Sequence, residues 1–312
     1  LGDYLHTPAQ IEAVAAERDG WRLGLRLQGV SLHDPATGAA LIGFQRAAAS
    51  LDLWRSLREQ RPVFNHIRLE GVSLTLEQGI DGIPRLRAEA SPPESAPSLP
   101  EVARWLFTVG RLDILGDRLT ARRRDGGVLN MLHPYFQVRD TGPGQRLAFS
   151  AEPPAELGDR LQLSIERPGT DPESWRGTLE VRAGQSHAFE WNRRGDQWQG
   201  RIQGLRIQDM AVWGLPWLDE PARQWLAALA PRGDLPELTV QTAAAGSYAI
   251  TASLREAAFR PAHDLPGFDP LTGTLELTSD QGRIVLNSRK IRVDTAGLLR
   301  APVTLDILTG TV

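Results

Sequence analysis

Apolar residues recur at every second position over much of this chain. Trp21, Leu23, Leu25 and Leu27 share one parity, while Arg22, Gly24, Arg26 and Gln28 take the other. That alternation predicts an amphipathic strand. A turn at Asp34-Pro35-Ala36-Thr37-Gly38 leads to a strand through Leu41 and Phe44 towards Leu51 and Leu53. Trp54 to Arg58 reads as a short helix or turn, followed by a strand around Ile67 and Leu69 that continues to Leu76. Further strand-like runs follow at Leu112 and Ile114, Tyr135 to Val138, Leu147 to Phe149, Leu161 to Ile165 and Leu179 to Val181. Others lie at Leu238 to Val240, Tyr248 to Leu254, Leu275 to Leu277, Ile284 to Leu286 and Ile291 to Val293. Turns such as Thr141-Gly142-Pro143-Gly144 separate them. Short strands so punctuated predict a meandering antiparallel sheet and not βαβ units.

Helical signals are few. Thr7-Pro8-Ala9-Gln10 has the form of a capping box with Pro at the first helical position, and predicts a helix that stops near Gly20. Ile11, Val14 and Ala15 would form its apolar face. Ser98-Leu99-Pro100-Glu101 is a second such box before Val102 to Phe107, and a helical interruption is expected near 209–230, where Trp225, Leu226 and Leu229 share a face. Residues 88–100 are rich in Pro, Ala, Ser and Glu and predict a linker or loop. The expected organisation is a helix-plus-strand segment over 1–87, that linker, and continuing β repeats over 101–312.

One phrase occurs twice. Leu27-Gln28-Gly29-Val30-Ser31-Leu32 returns as Leu69-Glu70-Gly71-Val72-Ser73-Leu74, 42 positions later. Self-similarity at such a period marks repeating β architectures. It predicts a surface made by reiterating one strand pattern, not a chain assembled around a reactive centre.

Composition narrows the chemistry. A net charge of −3, from 35 basic and 38 acidic residues, gives no nucleic-acid footprint. Absence of cysteine removes disulfides, thiolate nucleophiles and zinc–cysteine sites together. No apolar run approaches the ~20 residues that span a bilayer. The chain starts at Leu1 without a Met, so a processed or excised segment is expected. His6, His33, His66, His133, His187 and His263 lack metal-site spacing, and no Gly-x-Ser-x-Gly elbow or phosphate-cradling loop is present. His33-Asp34 and His263-Asp264 read as solvated turns beside proline. No catalytic residue, metal ligand or cofactor is expected. Trp191 and Trp198 flank a turn at Gly195 and have the chemistry to stack on a sugar or face lipid headgroups, although packing is their commoner use. Trp213-Gly214-Leu215-Pro216-Trp217 reads as an apolar corner at a sheet end.

The order of these N-terminal segments resembles the start of the AsmA-like envelope proteins of Gram-negative bacteria, in particular their large YhdP type. The residues that carry it are Trp21 to Leu32, Asp34 to Gly38, Ser50-Leu51-Asp52-Leu53-Trp54-Arg55-Ser56-Leu57, and Ile67 to Leu76. Asp171-Pro172 to Leu179 and Leu265-Pro266-Gly267-Phe268-Asp269 to Leu277 add to it. The resemblance implies a mainly β protein with a long curved antiparallel sheet, an open trough with a few short helices at the N-terminus and at sheet corners. It implies an inner-membrane anchor upstream of Leu1, a periplasmic body, and an apolar interior that conducts phospholipid acyl chains, with envelope proteins as further partners. It carries over no catalytic motif.

Alternation alone leaves two arrangements open, since an apolar face closes into a sandwich core or lines a groove. The resemblance favours the groove. Its expected lining is Trp21, Leu23, Leu25, Leu27, Leu112, Ile114, Phe136, Val138, Leu147, Phe149, Leu161, Leu163, Ile165, Leu179, Val181, Leu275, Leu277, Ile284 and Leu286. A non-catalytic scaffold for outer-membrane assembly, or a carbohydrate-binding or carbohydrate-processing β protein, are the alternatives.

Overall fold

The computed structural model describes residues 9–33, 40–60, 63–78, 84–86, 110–122, 126–168, 173–182, 185–195, 197–214, 220–242, 247–262, 265–295 and 300–311. The chain is mainly β with a few short helices, as expected. Its contacts cluster into two compact units, Leu1–Thr170 and Asp171–Val312.

In the first unit, β1 (Ala9–Asp19), β2 (Arg22–His33), β3 (Ala40–Asp52) and β4 (Phe64–Gln78) pair antiparallel in chain order. Helix α1 (Leu53–Glu59) links β3 to β4, and β5 (Pro84–Leu86) pairs with the end of β4. Then β6 (Arg111–Arg122) pairs parallel with β4, and β7 (Val128–Asp140), β8 (Gly144–Glu152) and β9 (Leu161–Pro168) follow antiparallel. The parallel pair departs from the all-antiparallel expectation. Such a pair needs a crossover longer than a hairpin. The stretch expected to be a linker at 88–100 and the helix expected after Ser98 fall between these strands, outside the described residues.

The helix expected from Thr7 to Gly20 is not there. Ala9–Asp19 is strand β1, paired residue for residue with β2 from Ala9↔Leu32 to Asp19↔Arg22. A helix would need Ile11 and Val14 to bury a stripe, yet both are exposed. As a strand, the segment satisfies its backbone against the neighbouring β2 edge, and tertiary pairing overrides a weak helical pattern. Gly20, read as a helix stop, instead takes φ +57° in the turn between the strands. The short helix foreseen at Trp54 is α1. Asp52 caps it by accepting from the Arg55 N–H at 2.9 Å, and Gln60 closes it in the left-handed region.

In the second unit, β10 (Ser174–Arg182), β11 (Gln185–Arg194) and β12 (Gln197–Arg206) form an antiparallel run. Helices α2 (Ile207–Gly214) and α3 (Glu220–Leu229) occupy the helical interruption. They lie between β12 and its antiparallel neighbour β13 (Arg232–Thr242). Strands β14 (Tyr248–Phe259), β15 (Gly267–Thr278), β16 (Gly282–Asp294) and β17 (Val303–Thr311) complete the meander.

The doubled phrase marks a crease. In β4, Ile67 and Leu69 hold the apolar face up to Gly71, after which Val72, Leu74 and Leu76 hold it; the parity slips by one. Gly71 has φ +68° and Gly29 in β2 has φ +57°. In β2, Leu27 and Val30 are accordingly both buried across the slip. A left-handed residue kinks the strand and lets the same face continue beyond the kink. The device recurs on alternate neighbours. His133 in β7 has φ +47°, between buried Met131 and the apolar Phe136–Val138 parity. In the second unit Gly204, Glu256 and Lys290 take φ +69°, +51° and +52° in β12, β14 and β16. Leu254 and Ala257 are both buried across the Glu256 slip.

Candidate functional site

Residues directly opposite in a ladder share a face of the sheet, so the registers trace apolar rows across each unit. In the first unit one row runs Leu27–Ala47–Leu69–Ile114–Phe136–Phe149–Leu163 over β2, β3, β4, β6, β7, β8 and β9. A second runs Leu25–Ala49–Ile67–Leu112–Val138–Leu147–Ile165 across the same strands. Neither contains a polar side chain. Leu23 opposes Leu51 beside them, and Leu161 opposes Ala151.

The row on the other face passes through Arg26, Ala48, Arg68, Asp113, Gln137, Ala148 and Ser164. Asp113 on this polar face is nevertheless 3% exposed. Burial pushes its carboxyl up, but four donors outweigh that. Gln137 Nε2 (2.5 Å) and the Tyr135 hydroxyl (3.0 Å) donate to Oδ1; Arg111 Nε donates to Oδ2 at 2.9 Å, and His66 Nε2 lies 2.7 Å from Oδ2. The net effect holds the carboxyl at about 2, below the ordinary 3.8. Burial and the Asp113 charge raise the Tyr135 phenol. Every oxygen is satisfied within the cluster, which joins three strands and has the chemistry of a clamp.

In the second unit a row runs Gly177–Phe189–Ile202–Leu238–Ala252–Leu275–Ile284 over β10 to β16. Beside it lie Trp175–Trp191–Gly200–Val240–Ile250–Leu277. The ring of Trp191 covers Gly200 so closely that an added Cβ would stand 2.1 Å from it. Trp191 and Trp198 centroids are 5.8 Å apart, tilted by 43°, and Arg193 lies over the Trp198 ring at 5.2 Å. These ring faces are already used by the protein, which leaves them poorly disposed for stacking on a sugar. His187 opposes Leu179 on β10 and is buried, with no partner for either ring nitrogen among the described residues.

The sequence model of the family described as YhdP protein matches residues 1–193 and again 182–312. The chain belongs to the YhdP family. YhdP proteins are envelope proteins. No curated protein and no solved structure matches the chain. Among the described residues no helix is long and apolar enough to cross a membrane, and no group of His, Asp or Glu side chains is placed to hold a metal ion.

In this member of the YhdP family the expected lining residues fall into three groups. Leu112 and Val138 are fully buried and pack against Ile67, Ile114 and Phe136, and Leu27 and Val181 are nearly buried. Leu23, Leu25, Ile114, Phe136, Leu147, Phe149, Leu161, Leu163, Ile165, Leu179, Leu275, Leu277, Ile284 and Leu286 are half-buried on their strands. Trp21 stands exposed in the β1–β2 turn. The rows also contain Ala47, Ala49, Ile67, Leu69, Phe189, Ile202, Leu238 and Ala252, which lie outside the expected lining. The cross-strand register, which no single strand contains, brings them in. Part of the apolar corner at Trp213–Trp217 lies outside the described residues.

Proposed function

We propose that this chain is a periplasmic segment of an inner-membrane-anchored protein that holds phospholipid acyl chains against its apolar rows and conducts them between the two membranes. The observation that carries this is the pair of uninterrupted apolar rows across seven strands of the first unit, half-buried over much of their length. At a strand spacing of about 4.8 Å such a row is about 29 Å long. That equals the roughly 30 Å hydrocarbon core made by two opposed acyl layers.

Burying an acyl chain gains about 0.8 kcal/mol per methylene. The gain is non-directional, so a chain shifts along a uniform row without breaking any specific bond. The polar row on the opposite face keeps water on that side. Binding and sliding need neither a catalytic group nor a cofactor.

The test is photo-crosslinking in cells from probes at Leu163 and Leu277, with native mass spectrometry of the purified chain. Phospholipid adducts at both positions are expected. Recovery of no lipid, with both probes shielded, removes the reading in favour of a closed core that serves as a scaffold.

A further inference from the structure

Where β2 starts and β3 ends, beside the first unit's rows, apolar side chains face solvent together. Trp21 is 62% exposed, Trp54 59% and Leu57 71%. Trp21 and Trp54 meet edge to face with centroids 5.8 Å apart and planes at 73°. Trp54 and Leu57 are one helical turn apart on α1 and so share its outer side. Exposure of large apolar groups in one contiguous place costs solubility and marks a contact surface.

The patch is held in place. The Leu53 N–H donates to the Trp21 carbonyl at 3.0 Å, tying the start of α1 to the β1–β2 turn. Ser56 Oγ donates to the Asp52 carbonyl and accepts from the Val63 N–H at 2.9 Å, which fixes the far side of the helix. Rigid aromatic anchors lose little entropy when they are covered.

Two features identify the occupant. First, Trp21 has the parity of Leu23, Leu25 and Leu27, so the patch continues the apolar strip of β2 into solvent. Second, the same two elements carry exposed arginines: Arg18 at the end of β1, and Arg55 and Arg58 on α1. Arg18 Nε is turned to the Gly20 carbonyl at 3.1 Å, and Arg55 makes an i,i+4 pair with Glu59 at 3.4 Å. Tryptophan at the level of headgroups, with arginine beside lipid phosphates, is the chemistry of a membrane–water interface. We infer that Trp21, Trp54 and Leu57 seat this corner of the first unit in the headgroup layer of an anionic phospholipid bilayer, with the apolar strip of β2 continuing from it towards the rows. The inference rests on the lipid-conducting reading for its direction but not for its test.

The experiment is co-sedimentation of the 312-residue chain with vesicles of phosphatidylcholine alone and of phosphatidylcholine mixed with phosphatidylglycerol. Brominated acyl chains report insertion through tryptophan quenching. The wild-type chain is expected to bind the mixed vesicles more tightly, with quenching. Trp54→Ala combined with Leu57→Ser should weaken partitioning about tenfold or more. Arg58→Gln should flatten the dependence on phosphatidylglycerol. Unfolding midpoints measured alongside confirm that the variants fold, because both replaced side chains are exposed. Absence of wild-type binding, or variants that sediment like wild type, overturns the inference. Uptake of a soluble lipid probe separates the two readings. Retained uptake in the Trp54→Ala, Leu57→Ser variant is the expected result, and vesicle binding without any uptake by the wild type would sink the conduit reading alone.

Discussion

His66 Nε2 lies 2.7 Å from Asp113 Oδ2, joining β4 to β6 across the parallel pair in the first unit. No hairpin sets the register of those two strands, so a buried side-chain clamp takes that part. Arg111, Tyr135 and Gln137 complete it from β6 and β7.

The clamp makes stability fall in acid. The folded-state carboxyl titrates at about 2 against an ordinary value of 3.8. Its folded value is depressed, so its contribution is present in full above the unfolded value. It is lost as pH drops from about 4 through 2, and the size is about 2 kcal/mol. Urea unfolding of the wild type at pH 6, 4 and 2.5 should show this component, and Asp113→Asn should lack it. At neutral pH Asp113→Asn should cost about 2–3 kcal/mol, since Arg111 then faces a neutral, half-matched partner.

The crease predicts an inverted glycine rule. Glycine inside a strand ordinarily weakens it by roughly 0.5–1 kcal/mol. At Gly71 the backbone is left-handed, and an added Cβ would stand 2.6 Å from Gln45 Cγ and Cδ. Gly71→Ala should therefore destabilise the first unit by about 1–2 kcal/mol. Lys290 occupies the same backbone region without being glycine. Lys290→Gly should be neutral or stabilising by up to about 1 kcal/mol, because relief of the left-handed strain offsets the entropy. Chemical denaturation of both variants checks the pair, and a Lys290→Gly loss comparable to that of Gly71→Ala would refute the crease.

Much of this architecture is legible in the alternation itself. The strands through Leu23, Leu112, Leu147, Leu163 and Leu275 stand where period two placed them, because a face that must be apolar repeats at that period wherever the backbone is extended. The repeated Leu-x-Gly-Val-Ser-Leu phrase was visible, but its meaning needed backbone angles. Only φ at Gly29 and Gly71 shows that the glycine is a kink and not a turn. Leu69 and Ala47 join the lining only through the β2–β3–β4 register. The N-terminal strand escapes a local reading because Thr7 to Gln10 has the form of a capping box, while the competing signal is the open edge of β2, which no local window contains. The Asp113 clamp was likewise hidden. Its members come from His66, Arg111, Asp113, Tyr135 and Gln137 on three strands, and only the β4·β6 register brings them together.

His187 offers a substitution expected to stabilise. It is buried opposite Leu179, and neither ring nitrogen has a hydrogen-bond partner among the described residues. An unsatisfied buried polar group costs about 1–3 kcal/mol relative to an apolar group of similar shape. His187→Leu should raise the unfolding free energy of the second unit by about 1 kcal/mol. Thermal unfolding followed by circular dichroism measures it. A loss of stability would show that the imidazole makes a contact that the described residues do not supply.

The rows make a sharper demand on function, because residues in one row should fail in different ways. Leu112 is fully buried and packs on Val138, whereas Leu163 is half-buried at the β9 end of its row. Leu112→Ala opens a cavity and should cost about 2–5 kcal/mol of stability. If the variant stays folded at low temperature, its lipid content should change little, since that side chain has no surface to offer. Leu163→Glu should cost much less stability, because a half-buried carboxylate keeps much of its water. It should instead reduce acyl-chain occupancy about tenfold or more, since seating a chain there would strip the charge of that water. Lipid-to-protein ratios by native mass spectrometry, read beside urea midpoints, separate the two effects. Equal lipid loss in both variants would mean that occupancy tracks general stability, and the half-buried row would lose its standing as the binding surface.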